Sequence, residues 1–142
     1  MSSLTHDEAV ALTLVAIDYG ERRIGVALKL AGQTLILPRQ VLIVASEQEA
    51  VESVRKILGE TAAQGVVVGL PIHDDPEQAR RVKRFCRRTR EGQTGVRWFF
   101  EDESLTSQEA ASISLEKAPR RPQDDLAAAL ILESFLNSRP RP

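Results

Sequence analysis

The stretch VAIDYGERRIGVAL, Val15–Leu28, decides how the rest of the chain is read. It places one carboxylate, Asp18, at the end of an apolar run, follows it with Tyr19-Gly20, and resumes hydrophobic alternation at Ile24. A charge beside a core strand costs several kcal/mol unless it is paired, hydrogen-bonded or holding a metal. The surrounding elements have to say which of these applies.

Working outward, VALTLVAID (Val10–Asp18) reads as a buried strand, and RIGVALKLA and TLILPRQVLIV as two more, joined by an Ala31-Gly32-Gln33 hairpin turn. Pro38 divides the third run, which suits an edge strand or a bend. EQEAVESVRKILGETAAQ (Glu47–Gln64) carries Ala50, Val51, Val54, Ile57 and Leu58 on one helical face. GVVVGLP then forms a β-branched run of the kind covered on both faces. Asp75-Pro76 starts a second helix, with an N-cap residue and a proline at the first helical position, and Ala79, Val82 and Phe85 point inward. GVRWFF is a further strand, closed by the acidic Glu101-Asp102-Glu103, with Trp98 and Phe100 expected in the core. Ser104–Ile113 contains Thr106 with Glu109 three residues on, a capping-box signature. DDLAAALILESFL (Asp124–Leu136) closes the chain as a helix.

The order is thus β-β-β-α-β-α-β-α-α, which predicts an α/β fold on a mixed five-stranded sheet flanked by helices. Strands joined by a helix run parallel, and strands joined by two or three residues run antiparallel. One domain is expected over residues 11–137, between a flexible N-terminus (1–10) and a flexible tail (138–142). The 142 residues suffice for a core without staples, and the single Cys86 excludes an internal disulfide. Neither a leader pattern nor an apolar run of membrane length is read, so a reducing, cytoplasmic setting is expected. Net charge is −1, yet RRVKRFCRRTR (Arg80–Arg90) concentrates seven basic residues, a local field able to attract a polyanion.

Three acidic sites stand at element ends: Asp18, Asp102/Glu103 and Asp124/Asp125. Groups at the carboxyl ends of parallel strands face one crevice. If the first and last strands are parallel neighbours, Asp18 and Glu103 converge there and the final helix brings Asp124 to the same edge. Such a hard-oxygen set suits Mg²⁺ or Mn²⁺, and two ions about 4 Å apart would serve phosphodiester hydrolysis. The alternative is plain: Asp18 as a turn residue accepting backbone hydrogen bonds, Asp124 as a helix-start charge and Glu103 as a solvated strand end.

AIDYGERRIGVAL, VVVGLP, DESLTSQEA and DDLAAALILESFL resemble, in order and spacing, the four blocks of the YqgF/RuvX family. Its members are described as Holliday junction resolvases or as nucleases that process the precursor of small-subunit (16S) ribosomal RNA. The resemblance spans about Leu12 to Leu136 and implies an RNase H-like fold, a divalent-metal nuclease site and a role in ribosome maturation. It assigns the catalytic and metal-holding carboxylates to Asp18, Glu103 and Asp124. The chain departs from the family pattern where Ser104 replaces the usual arginine, where Leu30 stands for a common aspartate, and in the loop HDDPEQ after Gly69-Leu70-Pro71.

Arg22 and Arg23, just after Asp18, are placed to grip a phosphate in bidentate fashion. Arg84, Arg87 and Arg88 are candidate backbone contacts on the basic helix, with a solvated charged face as the alternative. Thr106 joins them as a candidate substrate contact. His6 and His73 lack metal-ligand spacing, and Cys86 reads as packing. The expected partner is nucleic acid, RNA ahead of DNA, bound by a monomer or homodimer away from membranes. A structured-DNA nuclease and a noncatalytic nucleic-acid-binding domain are the competing readings.

Overall fold

A computed structural model describes residues 4–102 and 124–141. The described elements are α1 (His6–Ala11), β1 (Leu14–Tyr19), β2 (Arg23–Lys29), β3 (Ile36–Ile43), α2 (Glu47–Thr61), β4 (Gly65–Leu70), α3 (Pro76–Arg90), β5 (Arg97–Asp102) and α4 (Asp124–Ser138). The strands form one mixed sheet in the order β3-β2-β1-β4-β5. β1, β4 and β5 run parallel; β2 and β3 return antiparallel. Short connections produce the antiparallel pairs and whole helices the parallel ones, as connection length requires.

Strand alternation divides the core into two layers. Val15, Ile17, Tyr19, Ile24, Val26, Val66 and Val68 pack under α2 and α3, where the Tyr19 and Phe85 rings stack with centroids 4.4 Å apart. Leu14, Ala16, Ala27 and Val67 face the other way, against Ala128, Ile131, Leu132 and Phe135 of α4. Both faces of β1 and β4 are therefore covered, which is why GVVVGL has no polar position. Asp75 caps α3 by accepting from the Gln78 N–H, with Pro76 beginning the helix.

Three expectations need correction. The first strand begins at Leu14 rather than Val10, because His6–Ala11 form a helix held by a Thr5/Glu8 capping box, with Leu4 and Ala9 buried. Near the chain's end the Pro140 carbonyl accepts from the His6 N–H at 2.8 Å, and the Arg139 guanidinium lies over the Phe135 ring. The first and last strands are parallel but not neighbours, since β4 lies between them. Phe100 is 41% exposed, because β5 is an edge strand whose outer side neither α2 nor α3 covers, while Phe99 instead packs against Phe135. The capping-box segment Ser104–Ile113 lies outside the described residues.

Candidate active site

Asp18 is the fifth residue of β1, the central strand, and stands opposite Gly25 of β2. Alternation sends Tyr19 under α3 and Asp18 to the α4 side, where it is half-buried. A groove of about 270 Å³ opens beside it, lined by Asp18, Tyr19, Gly20, Glu21, Arg22 and Arg23. The Asp-Tyr-Gly turn has a steric cause: a Cβ on Gly20 would lie 2.8 Å from the Arg23 carbonyl oxygen, which accepts the Gly20 N–H. Only glycine lets β1 turn into β2 this closely.

Arg22 and Arg23 are exposed at the groove rim, and the Arg22 carbonyl is fixed by the Val44 N–H at 2.9 Å. Arg23 shares the face of Asp18 by strand parity, with the side-chain-free Gly25 between its row and the next. Across the sheet, Ile17, Val68 and Phe100 are in register, so Asp18, Gly69 and Glu101 occupy matched positions on three parallel strands. Sequence reasoning misses Glu101, though its place two residues after the buried-side Phe99 signals it. Its carboxylate accepts from the Ser134 hydroxyl at 2.6 Å and so ties α4 to β5. Asp102, next along, turns to the opposite face, where its carboxylate lies 3.6 Å from His73 Nε2.

Asp124 is the first residue of α4. Glu103 and Thr106 lie outside the described residues. Among the described residues, no group of three or more His, Cys, Asp or Glu side chains is close enough to hold a metal ion. On the Asp18 face of this edge the described side-chain donors closing the parallel strands are carboxylates, Asp18 and Glu101, the oxygen chemistry that Mg²⁺ and Mn²⁺ prefer over imidazole or thiolate. Asp18 therefore fits as one ligand of such an ion.

On the basic helix, Arg84 and Arg88 both reach Glu47 at the start of α2, and Arg88 also donates to Gln48. Burial works against ionisation of Glu47, but hydrogen bonds from Arg88 and Arg84 outweigh it and hold the carboxyl below its ordinary value. Burial, with Glu47 nearby, raises the Tyr19 phenol. Arg81 meets Glu21 at the groove, 3.3 Å away. Arg87 is exposed and makes no ion pair with a described residue.

A five-stranded sheet in this order, with a carboxylate closing its central strand, defines an RNase H-like α/β protein. Solved structures agree: Thermus thermophilus RuvC matches with a TM-score of 0.59 at 16% identity, over 89% of this chain and 95% of that one. RuvC in complex with a Holliday junction substrate matches with a TM-score of 0.58 at 16% identity, over 88% and 91%. The model of the RuvX family, described as a Holliday junction resolvase, matches residues 12–138. The chain belongs to that family. Relatives named "Putative pre-16S rRNA nuclease" include one from Azotobacter vinelandii, 38% identical over 89% of this chain and 94% of its own length. Another, from Nitrosospira multiformis, is 36% identical over 89% of each. The enzyme class shared by the family and these relatives is that of a nuclease.

Proposed function

We propose that the protein is a divalent-metal-dependent nuclease that hydrolyses phosphodiester bonds in the precursor of 16S ribosomal RNA, in the cytoplasm. The observation that carries this reading is Asp18, a carboxylate closing the central strand of an RNase H-like sheet, with Arg22 and Arg23 on the rim of the groove beside it. Asp18, Glu103 and Asp124 are the residues that would hold Mg²⁺ or Mn²⁺. The cation, when bound, activates water and offsets charge on the departing oxygen.

The chain's own residues supply the rest. Arg22 and Arg23 grip the phosphate and orient it toward Asp18, with guanidinium forks matched to phosphate oxygens. The tight Gly20 turn keeps both arginines within the same groove as the carboxylate. The Glu101–Ser134 bond anchors α4, whose first residue is Asp124, to the sheet that carries Asp18. No described helix is long and apolar enough to cross a membrane.

The test is incubation of the purified protein with a precursor-16S RNA fragment, single-stranded DNA and a four-way DNA junction, with Mg²⁺, Mn²⁺ or chelator. Metal-dependent cleavage of the RNA is expected. Cleavage confined to the junction would replace this reading with a junction resolvase, and binding without cleavage in either metal would leave a nucleic-acid-binding domain.

A further inference from the structure

We propose that edge strand β5 and the flank of α3 beside it form a binding track for an unpaired nucleic-acid strand, with Phe100 as the ring on which a base stacks. This deepens the nuclease reading above and rests on it. The starting point is the division of labour among the cations of α3. Ala79, Val82, Phe85, Cys86 and Thr89 are its buried stripe. At 100° per residue, Arg81, Arg84 and Arg88 lie along one side of that stripe, and Lys83, Arg87 and Arg90 along the other. The first row is spent on carboxylates, Glu21 for Arg81 and Glu47 for Arg84 and Arg88. The second row is exposed and makes no ion pair with any described residue.

The direction of that second row follows from the position of α2. Arg84 and Arg88 point to α2, and α2 lies on the β3 side of the sheet, where Glu60 meets Arg39 at 3.6 Å. Lys83, Arg87 and Arg90 therefore flank the other side, where β5 is the last strand. On the α3 face of β5 stand Trp98, Phe100 and Asp102 in alternate positions. Trp98 is half-buried against the core, Phe100 is exposed, and His73 sits against Asp102. Ile72, beside His73 in sequence, is exposed as well.

One exposed phenylalanine is ordinary. An exposed ring on an edge strand whose outer side no described helix covers, next to a row of cations that pair with no described carboxylate and leading to the sheet edge that carries Asp18, matches one class of ligand. A single strand presents a free π-face and a phosphate with every nucleotide, and proteins that bind it combine stacking rings with a basic groove. A duplex hides its base faces and would use the cations alone.

The test measures binding by the full chain with chelator present, so that no cleavage intervenes. The probes are labelled single strands of RNA and of DNA and a duplex of equal length, and Trp98, the sole tryptophan, serves as a second reporter. Phe100→Leu keeps apolar volume and removes the π-face; Phe100→Tyr keeps the ring. Phe100→Leu should weaken single-strand binding by at least about fivefold, the low end of base–aromatic stacking, while duplex binding holds and Phe100→Tyr binds as the parent does. Lys83→Ala/Arg87→Ala/Arg90→Ala should flatten the single-strand salt slope by roughly 2, about 0.7 for each phosphate no longer neutralised. Unchanged single-strand binding by folded Phe100→Leu, or equal weakening on strand and duplex, overturns the track. The nuclease reading fails separately: a parent that binds single strands through Phe100 but cuts nothing in either metal removes that reading and leaves the track standing.

Discussion

Arg84 Nε lies 3.0 Å from Glu47 Oε2, so the middle of α3 and the first turn of α2 share one carboxylate, with Arg88 on its other oxygen. The negative charge also sits where a helix N-terminus favours it. Glu47→Gln should cost about 1–2 kcal/mol, seen as a fall in Tm of about 3–6 °C. Because the folded carboxyl is held below its ordinary value, this contribution is full above the unfolded pKa and fades as pH falls through the folded one. The gap in Tm between parent and variant should therefore close under acid titration. Arg84→Ala should share the stability loss, whereas Arg87→Ala should leave Tm unchanged and reduce only the salt dependence of nucleic-acid binding.

Asp18→Asn keeps the shape of the side chain and removes the charge that would attract a divalent ion. Cleavage should fall by at least about a hundredfold, or roughly 2.7 kcal/mol in activation free energy, with little change in the folded fraction. Normal turnover by a variant of lowered Tm would return Asp18 to the role of a turn residue. Metal-dependent cleavage and thermal melting of this one protein separate the two.

Gly20→Ala would bring a Cβ to 2.8 Å from the Arg23 carbonyl oxygen, a backbone atom that cannot swing aside. The β1–β2 turn has to shift, moving Arg22 and Arg23 relative to Asp18. A stability loss of about 1–3 kcal/mol should accompany a larger loss in kcat than in KM, since the displaced groups are those that orient the phosphate. Activity equal to the parent's would show that the groove tolerates a displaced rim.

Lys29 is fully buried, and its ammonium donates to the carbonyls of Val10, Leu12 and Leu30 at 2.7, 2.6 and 3.2 Å. Lys29→Met fills similar volume but strips three acceptors of their donor, a loss of about 2–4 kcal/mol measurable by denaturant unfolding. Burial pulls the folded pKa from 10.5 down to about 8. Between those values the unfolded chain holds more protons, so stability contributed by this group rises with pH across that window. The advantage of the parent over Lys29→Met should accordingly be larger at about pH 10 than at about pH 7.5.

Most of the sheet was legible because Val15–Leu28, Gly65–Leu70 and the Asp75-Pro76 helix start each carry local signals of period, turn or cap. What escaped was set by contacts between distant segments. Val10 continues the apolar run into Leu14 by composition, but the Thr5/Glu8 box and the anchoring of Lys29 to Val10 and Leu12 turn that stretch into a helix end. Arg84, Arg87 and Arg88 look alike in a basic run; only the approach of Glu47 from another helix separates two of them from the third. Glu101 is hidden among its acidic neighbours because strand parity, which sends it to the Asp18 side and Asp102 away, depends on where β5 starts. At the site, Asp18 was legible from its position at the end of a buried strand.

The outer edge of β3 carries a defence against self-association. Ala27 pairs with Pro38 and Val26 with Gln40, so Arg39 is an extra residue that breaks the register. An open sheet whose last strand shows Leu37 and Ile43 to solvent invites a foreign strand to add to it. Here an incoming strand meets a proline with no N–H to offer, a kinked ladder and a bulky cation, and cannot continue the hydrogen-bond row past the middle of the edge. The same Pro38 that lets the strand bend keeps the sheet from growing into a fibre.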